Sequence, residues 1–173
     1  MKCDRMKRLL IALLMLAALS GCSEAPVFHK DQYLLREMAE TIHEGSTEVS
    51  AEVPFDYAAS LKSQEDDVLF TFSASGFSVS MYDIKAVAAV LDDASGTISS
   101  FGFDEEQSWN VIPFQENEEQ GYISTIEMSG TLKAVPEQIG VLIQWRDSSQ
   151  ANTYQIYLRM DGEDLISEDE MRV

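Results

Sequence analysis

From Val49 to Met160 the chain is cut by turn residues into short segments of alternating apolar and polar side chains. That punctuation restricts the possible folds more than any other feature. Two-residue periodicity is clearest at Val68-Phe70-Phe72-Ala74, at Ile123-Thr125-Glu127 opposing Ser124-Ile126-Met128, and at Tyr154-Ile156-Leu158. Ser75-Gly76, Asp92 to Gly96, Asn117 to Gly121 and Asp147 to Asn152 supply turn chemistry between them. Strands are expected at Val49–Phe55, Val68–Ser75, Phe77–Tyr82, Lys85–Asp92, Thr97–Phe103, Val111–Phe114, Tyr122–Leu132, Val141–Arg146 and Thr153–Met160. Ala86 to Leu91 (AVAAVL) would also fit a buried helical turn, but its place between two strand patterns favours a strand. Short loops leave no room for helical crossovers. The expected fold is a mainly β, antiparallel sandwich, immunoglobulin-like or jelly-roll.

One helix precedes it. In Asp31 to His43 (DQYLLREMAETIH), Leu34, Leu35, Met38, Ala39 and Ile42 form an apolar stripe at helical spacing. Asp31 suits the N-cap and Gly45 follows the end. A stripe of this kind packs on the neighbouring domain, or docks on a partner through Leu34, Met38 and Ile42. A membrane-surface helix is disfavoured, because the polar face lacks the Lys and Arg such helices use. The organisation expected is a leader over 1–21, a tether over 22–30, the helix over 31–45, a β-sandwich over 46–161 and an acidic, frayed tail over 162–173.

The leader is specific. Lys2, Arg5, Lys7 and Arg8 precede an uninterrupted apolar run of eleven residues, Leu9 to Leu19. A basic segment followed by an apolar run of this length is the pattern of a secretory signal peptide. The run is too short for a bilayer core of roughly 30 Å, which takes about 20 apolar residues. Leu19-Ser20-Gly21-Cys22 resembles the lipobox of bacterial lipoproteins at every position of that motif. The resemblance implies cleavage between Gly21 and Cys22, with diacylglyceryl and palmitate-type acylation of Cys22. It implies a chain anchored by lipid to the cell membrane or outer membrane, on its extracytoplasmic face.

Charge and cysteine usage then narrow the chemistry. The sequence has 12 Lys+Arg against 30 Asp+Glu, a formal charge of −18. Removing residues 1–21, with four bases and one acid, leaves 152 residues carrying 8 Lys+Arg, 29 Asp+Glu and a charge of −21. A nucleic-acid partner is excluded, because a phosphate backbone must be met by clustered Lys and Arg. Anionic headgroups repel such a domain within a Debye length of about 8–10 Å, and cationic or metal-bridged partners suit it. On the lipobox resemblance Cys3 leaves with the leader and Cys22 is lipidated, which implies a chain without thiol catalysis, disulfides or cysteine-ligated zinc.

The remaining candidates are few. Only His29 and His43 could act as imidazole bases, and no GxSxG, HExxH, GxGxxG or GxxxxGK[ST] occurs. A non-enzymatic binding module of the cell envelope is therefore expected, with a protein or glycan partner. Acidic loops offer oxygen ligands for calcium, with Asp92, Asp93, Asp104 and Glu106 the best placed, although no EF-hand register is present. No other cofactor is expected. Trp109 and Trp145 are either packing residues or stacking platforms for a sugar. Ile139 to Asp147, then Tyr154-Gln155-Ile156-Tyr157 and Asp161-Gly162, is similar to a stretch of the discoidin-type galactose-binding sandwiches, which implies the stacking role. An accessory subunit of an envelope assembly, docked through the helix, is the other alternative.

Overall fold

The computed structural model describes residues 30–44, 49–50, 52–91, 96–103 and 107–166. Helix α1 (Lys30–Glu44) is followed by β1 (Asp56–Gln64), β2 (Asp67–Ser75), β3 (Tyr82–Val90), β4 (Thr97–Phe101), β5 (Ile126–Leu132), β6 (Gln138–Arg146) and β7 (Thr153–Asp161). Two antiparallel sheets form, in the orders β1-β2-β5 and β4-β3-β6-β7. The expected mainly β sandwich with one preceding helix is thus the fold. Its strand order is the immunoglobulin-like alternative, except that β4 lies beside β3 on the four-stranded sheet.

The side-chain pattern explains the layers. Val68, Phe70, Phe72 and Ala74 of β2 all point inward. They meet Ile126 and Met128 of β5, Ala86 and Ala88 of β3, and Val141, Ile143 and Trp145 of β6 in one core. On β3 and β6 the intervening residues are buried too. Val87, Ala89, Leu142 and Tyr157 form a second core with Met38, Ala39 and Ile42 of α1. A strand covered on both faces loses its alternation, which is why the Ala86–Leu91 stretch reads as a continuous apolar run.

Helix α1 is fixed at both ends to β3. Lys85 Nζ donates to Asp31 Oδ2 at 3.3 Å near the start, and His43 Nδ1 donates to the Val90 carbonyl at 2.8 Å near the end. Twelve helical residues rise about 18 Å. Five strand residues span about 17 Å. The two elements therefore run side by side in the same direction. The stripe of Leu34, Met38 and Ile42 is consequently not a docking face: Met38 and Ile42 are buried on the sheet and Leu34 packs against the same cluster. The expectation of partner docking through these residues is corrected, because the chain's own apolar sheet face already covers them.

Other boundaries differ from expectation. The described residues of Val49–Phe55 do not form a strand, although the Ser50 N–H donates to the Tyr157 carbonyl on the edge of β7. The first strand lies instead at Asp56–Gln64. Phe77–Met81 and Val111–Phe114 make only isolated bridges before β3 and in the β4–β5 connection, where Pro113 interrupts the backbone, and Tyr82 of the expected Phe77–Tyr82 strand belongs to β3. Residues 162–166 are not a frayed tail. Glu163–Leu165 forms a 3-10 turn and Ile166 bridges Leu61 of β1.

Candidate binding surface at the proximal pole

Antiparallel register divides the sandwich into two poles. At one, here the proximal pole, β1, β3, β5 and β7 begin, β2, β4 and β6 end, and α1 starts. The distal pole carries Glu65, the β5–β6 connection with Val135, and the end of α1. Loops at the end of such a sandwich are free to vary in chemistry while the sheets hold them in place.

The β4–β5 connection supplies the most unusual group. Ile112-Pro113-Phe114-Gln115 is a tight turn closed by the Gln115 N–H donating to the Ile112 carbonyl at 3.0 Å. Proline suits its second position and glycine its third, where φ is positive. Phe114 stands there with φ of +66° and is fully exposed, at 107% for the residue. A bulky residue in that region is a true outlier, costing on the order of 1–3 kcal/mol unless the surroundings enforce it. Behind the turn lies an open groove of about 350 Å³ lined by Phe77, Val111, Ile112 and Ile123.

Both tryptophans are at this pole, and each is engaged. Trp109 is half-buried against Phe101, with ring centroids 5.9 Å apart and tilted. Trp145 is buried and stacks on Tyr154 at 5.8 Å with the planes 19° apart. Trp145 is therefore a packing residue; the half-exposed ring of the pair is Tyr154. The strand expected at Thr153–Met160 contains Tyr154 but gave no sign that it, and not Trp145, would face solvent.

Charge at the pole is organised by a bulge. The β3–β6 register shifts between Tyr82 and Lys85, and Asp83 adopts φ of +51° there. The Asp83 carboxylate thereby lies 3.7 Å from both Lys85 Nζ and Arg146 Nε. Lys85, the one buried charged side chain among the described residues, also donates to the Gly102 carbonyl and sits 5.6 Å from the Phe103 ring centroid. Its donors are spent on fixing α1 and the β4 exit to the sheet. Farther along the rim, Ser149 and Asn152 donate to the Asp147 carboxylate at 2.7 and 2.6 Å and lower its pKa to about 2. On the helix-covered face, burial raises the Tyr157 hydroxyl above its usual value, and its oxygen has no hydrogen-bond partner among the described residues.

The outer face of the β1-β2-β5 sheet is open and shallow. Ala58, Ser60, Thr71, Ser73 and Ser129 line a depression of about 550 Å³. Ser60 and Thr71 bond to one another at 2.8 Å, and Glu127 also lines the depression.

Gly21, Cys22 and His29 lie outside the described residues, as do all four of the expected calcium ligands, Asp92, Asp93, Asp104 and Glu106. The residues flanking Asp92 and Asp93 are at the distal end of β3, whereas Phe103 lies beside Lys85 at its proximal end. Among the described residues no group of three or more His, Cys, Asp or Glu is arranged to hold a metal ion. No helix of the described residues is long and apolar enough to cross a membrane. Phe114 was hidden in sequence inside an expected strand; the signal that marks it is Pro113 at the second position of a turn. No protein-family model and no curated protein matches the chain.

Proposed function

We propose that the chain is a lipid-anchored, extracytoplasmic protein of a bacterial cell envelope that acts as a non-catalytic binding module through its proximal pole. The lipobox-like Leu19-Ser20-Gly21-Cys22 supports the anchor. The observation that carries the binding role is Phe114, a fully exposed aromatic kept in a backbone conformation suited to glycine. Strain retained at an exposed apolar side chain points to a use for that side chain in contact.

Palmitate labelling and membrane fractionation of the full chain test the anchor. Label and membrane association are expected for the natural sequence and are lost in Cys22→Ala; an unlabelled natural chain refutes the anchor. A photo-crosslinking phenylalanine analogue tests the pole. Adducts are expected in cells at position 114 and not at position 135, and adduct-free chains at both positions refute the pole's role.

A sugar-binding role has one observation in its favour, the half-exposed Tyr154 ring backed by Trp145. Soluble glycans should then quench Trp145 fluorescence, and Tyr154→Ala should abolish the quenching. Calcium at the acidic loops is tested by thermal shift. A rise in Tm with millimolar calcium that a chelator reverses supports it, and an unchanged Tm refutes it.

A further inference from the structure

Five of the large apolar or aromatic side chains exposed on this protein are gathered at one end of it. Phe114 is at the tip of the β4–β5 connection, Tyr57 is the second residue of β1, Val79 is in the β2–β3 connection, Tyr154 is the second residue of β7, and Tyr33 is in the first turn of α1. The paired strand ends place the first four at the proximal pole, and the Asp31–Lys85 contact brings the start of α1 to the same pole. Val49 and Val135 are the other large exposed apolar residues among those described, and Val135 is at the distal pole beside Gly162.

The chain that leads to Cys22 leaves the domain at this same pole. Eight residue-to-residue steps separate Cys22 from Lys30. Fully extended they reach roughly 28 Å, and the strands themselves are about 30 Å long. A lipid on Cys22 therefore attaches to the proximal pole and leaves the distal one a further domain length away. Tyrosine rings flanking an apolar tip are the side chains that partition to the boundary between headgroups and hydrocarbon.

We propose that the proximal pole is a membrane-contact surface, with the Phe114 ring inserted below the headgroups and Tyr33, Tyr57 and Tyr154 around it at headgroup level. The contact rests on the lipidation of Cys22 proposed above. Glu116 beside the turn and the acidity of the chain direct it to zwitterionic headgroups, since anionic ones would repel the same surface. The strained turn has a use in this arrangement: it lifts one ring clear of the domain so that it meets lipid ahead of the charges behind it.

The lipidated chain has no thiol after processing, so Phe114→Cys and Val135→Cys each accept a single environment-sensitive fluorophore. The labelled, lipidated proteins are reconstituted into phosphatidylcholine vesicles and floated. A blue shift and a rise in emission at position 114, quenched by brominated acyl chains, with water-like emission at position 135, is the expected result. If the protein floats but the label at 114 emits as in water, the contact is overturned and the anchor stands. A shift at both positions overturns the contact as a property of this pole. A shift at 114 in native envelope vesicles but not in pure lipid overturns it in favour of a protein partner. If the protein carries no lipid and does not float, the anchor fails and the contact falls with it.

Discussion

Phe114 occupies a conformation that glycine adopts at no steric cost, and as a wholly exposed residue it buries little to offset that cost. Phe114→Gly should relieve about 1–2 kcal/mol of strain while giving the unfolded chain up to about 1 kcal/mol of extra entropy. A net gain of about 0.5–1 kcal/mol is expected, read as a higher urea midpoint at unchanged m-value. Phe114→Ala keeps the strain and should change little. Asp147 makes a second prediction at this scale. Its folded pKa of about 2 lies below the unfolded value of about 3.9. Its contribution to stability is therefore present above about pH 4 and is lost as pH falls through 2. Carboxyl-carbon NMR should find its midpoint near 2, and Ser149→Ala should move that midpoint upward. Pro113 is the one sequence signal for the Phe114 turn, and the Asp147 contacts have none. An Asp-Ser-Ser segment is a generic turn, and only the folded loop brings Ser149 and Asn152 onto one carboxylate.

At the scale of elements, legibility followed how many faces each strand buries. β2 covers one face with Val68, Phe70, Phe72 and Ala74 and was plain. β1 was missed because Leu61 is its only fully buried residue, and the rest of DYAASLKSQ is small or polar. It is a strand because β2 gives it a hydrogen-bonding partner along nine residues, which no local pattern records. The helix stripe was legible, but its destination was not, since the apolar face it covers is assembled from β3, β6 and β7 together. That seat depends on Gly140, where a Cβ would overlap Ile42 and Tyr157. Ile42→Ala should cost about 3 kcal/mol by leaving a cavity under α1. Gly140→Ala should cost about 1–3 kcal/mol by lifting the helix. The double variant should lose about 1 kcal/mol less than the two costs added, as measured by a urea double-mutant cycle.

At the scale of the whole molecule, the two sheets are brought together along one side by β4 and β5. Gly130 of β5 lies against the backbone carbonyl of Ile98 in β4, so a Cβ at position 130 would strike main chain that cannot rotate away. Gly130→Ala should part the sheets at that seam, with a loss of about 3 kcal/mol and a Tm lower by roughly 10 °C. The opposite sheet face, covered by α1, bears on how the molecule answers a pull. If Cys22 is lipidated as proposed, tension on the tether would reach the domain at Lys30, the first residue of α1, along an axis that runs beside β3. Force along that line works in shear. The Asp31–Lys85 fastening, the buried Met38 and Ile42 contacts and the His43–Val90 hydrogen bond resist together, whereas a perpendicular pull would break them one at a time. A domain anchored in the proposed way would be held as by a cleat, gripped along the full length of the helix.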